Sequence, residues 1–246
     1  EAMAKRRIGL GFLGLGSALV MLGIRYDSEQ GLAFGARIAQ AMRDEAYRAS
    51  VDLAVEKGAF PALDAERYLQ SGFARRLPDD IRSAVAERGI RNSHLLSIAP
   101  TGTIALAFAD NASNGIEPAF AWSYTRRKRM ADGSTQEYAV EDHAYRLFRE
   151  RGGDTLRLPE AFVSALDMTA EQHLQMLVAV QPFIDSSISK TVNVPADYPF
   201  EAFKGLYMQA WKAGLKGLAT YRPNAITGAV LSVEAPQAFD AAPDDD

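Results

Sequence analysis

The sequence predicts an α/β fold in which helices outweigh strands, and three observations point there. Short apolar segments bounded by turn residues occur at 94–99, 188–194 and 218–221. Longer stretches with apolar residues at helical spacing lie between them. Capping residues, glycine or proline mark many of the changes from one to the other. Strands separated by helices favour parallel pairing, because a parallel pair needs a long crossover.

Taken in order, the glycine-rich start is expected to lead into a helix over 12–22. Residues 31–57 then read as a long amphipathic helix, with Ile38, Met42, Ala46 and Leu53 near one face and Gly58 beyond its end. Shorter helices are expected over 63–70 and 78–88, the second burying Ile81 and Val85. The strand at 94–99 stops at Pro100, and an apolar helix-like segment begins at Ile104. Residues 126–135 read as a hairpin or loop with Asp132-Gly133 as its turn signal. A helix over 140–151 ends at Gly152-Gly153, and Thr169 with Gln172 has the spacing of a capping box for a helix to 180. Residues 199–215 form a further amphipathic helix with Phe203, Leu206, Tyr207 and Trp211 inward. From about Ser232 the chain turns polar and ends in three aspartates, so we divide it into a folded domain, 1–231, and a disordered acidic tail, 232–246.

With 48% hydrophobic and 24% charged residues, the 246-residue chain has the composition of a globular protein able to bury a sizeable core. A net charge of −4 argues against a nonspecific nucleic-acid binder, and no apolar run is long enough to cross a membrane. The basic start, Lys5-Arg6-Arg7, precedes a stretch broken by glycines without a convincing cleavage site, which argues against a signal peptide. A cytoplasmic location is the default expectation. The chain begins at Glu1 rather than methionine, so it is expected to be a piece of something longer. It has no cysteine, hence no disulfide, no thiolate nucleophile and no thiolate-held metal.

Residues 97–120 carry the strongest chemical signal. After the apolar run comes a turn rich in hydroxyls, Pro100-Thr101-Gly102-Thr103-Ile104. Glycine allows close backbone approach, the threonines add hydroxyl donors, and free amides at a helix start face negative charge, which together describe an anion cradle. A second dense polar loop, 111–118, follows a short helix away and needs partners for its polar groups. Other motifs are weaker. Gly9-Leu10-Gly11-Phe12-Leu13-Gly14 spells a dinucleotide-binding turn, with Asp27 as ribose partner, but Lys5, Arg6 and Arg7 stand where a buried strand should precede it. The glycines read better as points of close helix packing. His94, His143 and His173 are too scattered for a metal site. The basic run 126–129 reads as solvated hairpin, and Ser186, Ser187 and Ser189 with Lys190 lack the third group that serine–lysine chemistry requires.

Five ordered blocks carry a resemblance. These are 5–11, the run Ala99 to Ile104, the loop Asn111-Ala112-Ser113-Asn114-Gly115-Ile116-Glu117-Pro118, the stretch 184–193, and Gly214-Leu215-Lys216-Gly217 leading to Thr220-Tyr221-Arg222-Pro223-Asn224. Over roughly 3–231 the chain resembles the catalytic subunit of ribonucleotide reductases, more specifically the adenosylcobalamin-dependent class. The resemblance implies the C-terminal portion of a ten-stranded α/β barrel. It also implies that Pro100, Thr101, Gly102, Thr103 and Ile104 bind the phosphates of a ribonucleoside diphosphate, and that the 111–118 loop buttresses them. The implied reaction is reduction of ribonucleotides to deoxyribonucleotides for DNA synthesis, with adenosylcobalamin as cofactor and a possible homodimer as the assembled enzyme.

The departures are equally specific. The family's chemistry uses a radical-forming cysteine, a reducing cysteine pair and a finger-loop glutamate. None of those cysteines is present here, and Lys216-Gly217-Leu218-Ala219 stands where relatives often have Lys-Gly-Cys-Thr. A single Tyr221 replaces the paired tyrosines of the iron-dependent class, which favours the cobalamin class. The chain by itself is therefore expected to be inactive, with the N-terminal portion supplying the cysteines. The alternatives are a noncatalytic nucleotide- or partner-binding remnant and an NAD-dependent oxidoreductase built on residues 9–14.

Overall fold

The computed structural model describes residues 1–130, 132–222 and 231–232. The first half is helical: α1 (Ala2–Lys5), α2 (Leu15–Met21), α3 (Glu29–Lys57), α4 (Ala65–Leu69), α5 (Asp79–Arg88) and the short α6 (Gly102–Phe108). An antiparallel hairpin follows, β1 (Ser123–Arg129) with β2 (Thr135–Glu141), then α7 (His143–Glu150) and α8 (Ala170–Val180). The chain continues through β3 (Thr191–Asn193), α9 (Phe200–Lys212), β4 (Ala219–Tyr221) and β5 (Leu231–Ser232). β5 pairs antiparallel with β1, so Ser232 sits in a strand, and 233–246, the rest of the expected tail, lies outside the described residues.

Parallel pairing organises the other half of the fold. β3 pairs with β4 in the register Thr191↔Ala219, Val192↔Thr220 and Asn193↔Tyr221. The segment leading into β3 pairs on its opposite edge with 94–98. Ser186 donates to the Leu96 carbonyl at 3.0 Å, and Ser189 donates to the Ile98 carbonyl at 2.8 Å. Leu10 then bridges Leu96 in parallel on the far side. The spatial order is 8–10, 94–98, 186–193, 219–221, all running the same way. The described residues thus form an arc of parallel segments flanked by helices, with a separate hairpin sheet, and not a closed ten-stranded barrel.

Close backbone approach explains the glycines at the start of this arc. A side chain on Gly11 would lie 2.2 Å from the Ser97 carbonyl oxygen, and one on Gly9 2.4 Å from the Ser97 hydroxyl. Gly9 and Gly11 therefore serve strand against strand. Helix packing, the reason expected for the glycines of 9–14, is seen instead at Gly16 in α2, whose Cβ would fall 2.6 Å from Pro118.

Asp185 fastens the arc to the long helix. Its carboxylate accepts from the Leu95 and Leu96 N–H groups at 2.7 and 2.9 Å and from the Tyr47 hydroxyl at 2.8 Å. Leu96, Ile98, Ile188 and Val192 on the arc share one core with Tyr47 and Val51 of α3, Ile81 and Val85 of α5, and Met176 and Leu177 of α8.

Several expected faces turn. α3 buries Gly31, Gly35, Ala39, Ala46, Tyr47 and Val51, while Leu53 is exposed. Small residues let α3 approach α8 closely: the Gly35 Cβ position is 2.8 Å from Met176 Sδ. α9 buries Leu206 and Ala210, leaving Trp211 72% exposed and Tyr207 exposed, because its apolar residues occupy more of its circumference than the core covers. The helix expected from 140 starts at His143, where Asp142 caps it by accepting from the Ala144 and Tyr145 N–H groups. Thr169 and Gln172 form the expected capping box. No helix among the described residues is long and apolar enough to cross a membrane.

Candidate functional site

The turn 100–104 stands at the carboxyl end of segment 94–98, the edge of a parallel sheet where ligands bind in open α/β folds. Pro100 stops the pairing, and Thr101 takes the left-handed conformation, φ 54°, as N-cap of α6. Glycine at 102 is expected to allow close backbone approach. Gly102 is the first helical residue and the β-branched Thr101 carries the positive φ, a conformation such a residue holds only when neighbours enforce it. The enforcing contact comes from the polar loop, whose Gly115 N–H donates to Thr101 Oγ1 at 2.8 Å. Gly115 has φ 49°, and a side chain there would meet the Ala99 carbonyl at 2.6 Å.

No side chain caps α6. The N–H groups of Gly102, Thr103 and Ile104 have no acceptor among the described residues. Thr103 and Ile104 are exposed, Thr101 and Gly102 half-buried. The turn therefore presents three backbone donors, the free O–H of Thr101 and the hydroxyl of Thr103.

The loop that holds this turn also walls a cavity of about 390 Å³. Asn111, Ser113, Asn114 and Glu117 face it from the loop, Thr191 and Asn193 from β3, and Tyr221 from β4. Among the described residues its lining contains amides, hydroxyls and carboxylates but no lysine, arginine or histidine, so the cavity offers no cation to an anion. Pro100 to Ile104 are not among the residues lining it.

Behind the cavity wall lies a buried ionic network. Because the chain leaves the sheet at Pro100, the Thr191 N–H has no strand partner, and Glu117 Oε1 accepts it at 2.6 Å in place of a carbonyl. Glu117 Oε2 lies 3.1 Å from Lys190 Nζ, whose side chain is fully buried. Lys190 also donates to His173 Nδ1 at 2.8 Å and to the Thr191 carbonyl at 3.3 Å. His173 accepts at Nδ1 and donates from Nε2 to the Ala165 carbonyl at 3.0 Å, which fixes its tautomer as neutral. Burial, and then the Lys190 charge, push the His173 pKa down to about 3. Burial lowers the Lys190 pKa, with Glu117 opposing it.

A second buried cluster pins the far end of the loop. Ser17 and Ser113 exchange N–H to Oγ bonds at 3.1 and 2.8 Å, and the Ser17 hydroxyl donates to Asp142 Oδ2 at 2.8 Å. Burial raises the Asp142 pKa, against the donors that surround it.

The sequence matches the ribonucleotide reductase barrel domain over residues 1–221. The chain belongs to the ribonucleotide reductase barrel family. It is 36% identical over 252 residues to the vitamin B12-dependent ribonucleoside-diphosphate reductase of Mycobacterium tuberculosis strain H37Rv, covering 96% of this chain and 33% of that protein. It is 30% identical over 281 residues to the vitamin B12-dependent ribonucleotide reductase of Streptomyces coelicolor, covering 94% and 29%. The Thermoplasma acidophilum vitamin B12-dependent ribonucleoside-diphosphate reductase is 29% identical over 243 residues, covering 92% and 29%. The chain spans about a third of the length of these relatives.

Within this reductase barrel chain the weaker sequence motifs find structural roles. Asp27 pairs with Arg25 at 2.6 Å and accepts from Gln172 at 2.7 Å, so it is committed to α8 and not free for a ribose. Lys190 serves Glu117 and His173 and makes no bond to Ser186, Ser187 or Ser189 among the described residues. His143 joins Asp110 at 2.8 Å on the surface. The basic run occupies the backbone of β1, where its side chains lie outside the described residues. Sequence reading missed the Glu117–Lys190–His173 network and the Asp185 anchor. The available signal was charge inside apolar segments, Lys190 between Ile188 and Val192 and Asp185 beside Ile184.

Proposed function

We propose that this chain supplies the substrate-phosphate site of a ribonucleoside-diphosphate reductase, an enzyme that converts ribonucleotides to deoxyribonucleotides. The observation that carries the proposal is the turn 100–104: three N–H groups without an acceptor among the described residues, and two hydroxyls, lie at the carboxyl edge of a parallel sheet. Family membership and the names of the relatives support a nucleotide as the anion. The donors would hold the diphosphate by charge-assisted hydrogen bonds and so fix the attached ribose for reaction.

With no cysteine, the chain offers no thiol for radical chemistry, and an N-terminal portion is assigned that task. Adenosylcobalamin supplies the radical in the B12-dependent class. The described residues do not themselves fit that cofactor. Among the described residues no histidine lines the cavity of about 390 Å³, so it offers no imidazole to cobalt. His173 is engaged at both ring nitrogens and His143 is bonded to Asp110. No step is therefore routed through cobalamin on this chain.

The test is reconstitution. Mixed with a cysteine-bearing N-terminal portion of a B12-dependent relative, the chain should restore thiol- and cobalamin-dependent formation of deoxynucleoside diphosphate. A stable complex without turnover would favour the noncatalytic remnant instead.

A further inference from the structure

Lys190 lies away from the turn, yet a short run of directed bonds connects them. Lys190 Nζ holds Glu117 Oε2 at 3.1 Å, and Glu117 Oε1 is fixed by the Thr191 N–H. The Glu117 N–H donates to the Asn114 carbonyl at 2.7 Å, closing the tight turn that contains Gly115. Gly115 N–H in turn holds the Thr101 hydroxyl. The Tyr26 hydroxyl donates to the Ile116 carbonyl at 2.6 Å and its ring lies 5.9 Å from Lys190 Nζ, so the same segment is gripped from below.

We propose that Lys190 is a positioning residue for the anion turn: by seating Glu117 in the gap of the parallel ladder, it holds Gly115 where its N–H fixes Thr101. A buried ion pair is a weak source of net stability, because desolvation offsets the attraction. Its directional bonds are what an apolar pair of equal volume would lack. All three Lys190 donors are used, on a carboxylate, an imidazole and a main-chain carbonyl, so its ammonium has one place to sit.

The ligand-binding part of this inference rests on the phosphate reading above; the coupling of Lys190 to Gly115 does not. The test compares wild type, Lys190→Met, and Lys190→Met/Glu117→Gln, the double variant leaving no unpaired buried charge should the single one fold poorly. Amide hydrogen exchange is followed at Gly115 and, as a gauge of global opening, at Val51 in α3. Selective acceleration at Gly115, by ten-fold or more relative to Val51 in a folded variant, is expected. Exchange at Gly115 that merely tracks Val51 in both variants would overturn the proposal.

Calorimetric titration with cytidine diphosphate provides the second reading, with Thr101→Val as control. Affinity is expected to fall about ten-fold in the folded Lys190 variant. If Thr101→Val weakens binding and the Lys190 variants do not, the positioning role fails and the phosphate site stands. If wild type and Thr101→Val behave alike, the phosphate site fails, while the exchange data still decide the coupling.

Discussion

Thr101 is the residue where binding and folding separate most clearly. Its Oγ1 already accepts from Gly115, so the hydroxyl proton is the part free for a ligand. Thr101→Val keeps the shape and the β-branched strain at φ 54°, but removes both bonds. Losing the internal bond leaves a partly buried N–H unsatisfied, which costs about 1–3 kcal/mol. At this chain length each kcal/mol lowers Tm by roughly 2–4 °C. Losing the ligand bond removes a charge-assisted interaction of about 1.5–3 kcal/mol, a ten-fold to hundred-fold weaker Kd. Thr103 is exposed and makes no internal side-chain bond among the described residues. Thr103→Val should thus weaken nucleotide binding comparably and leave Tm unchanged. Calorimetry with cytidine diphosphate and thermal unfolding by circular dichroism read the two effects separately. Unaltered affinity in both variants would refute the assignment of the turn, and an unaltered Tm in Thr101→Val would refute the Gly115 contact.

Two further outcomes follow from the packing. Gly11→Ala drives a methyl into the Ser97 carbonyl, so it should destabilise the fold by roughly 1–3 kcal/mol or more, seen as a lower urea midpoint. Detectable NAD affinity lost in that variant would instead revive the dinucleotide reading. His173 is neutral in the fold, with a pKa of about 3 against 6.5 when unfolded. Its contribution is complete above pH 6.5 and is lost as pH falls toward 3, by up to about 1.4 kcal/mol per pH unit. Urea midpoints between pH 7 and 4 should fall less steeply in His173→Asn; equal slopes would show that the imidazole does not control acid sensitivity.

Much of this architecture is legible in the chain because it rests on local chemistry. The Thr169–Gln172 capping box, the Asp132-Gly133 turn and the β4 segment form where their residue types place them, since each depends on neighbours a few positions away. The turn after Ala99 belongs to the same class: proline ends the strand and the small residues after it leave amides free. Helix faces were less legible. α3 carries apolar residues around much of its surface, and only the neighbouring α8 decides that the glycine-rich side goes inward.

By itself the sequence determined the family, the alternation of helices with parallel strands and the composition of the turn 100–104, because motif order and local propensity survive without tertiary contacts. Tertiary structure alone decided that Thr101, not Gly102, takes the left-handed conformation, and that Glu117 and Lys190, 73 residues apart, meet in a gap of the ladder. Those outcomes depend on which backbone donors are left unpaired when distant segments come together, and no stretch of sequence contains that information.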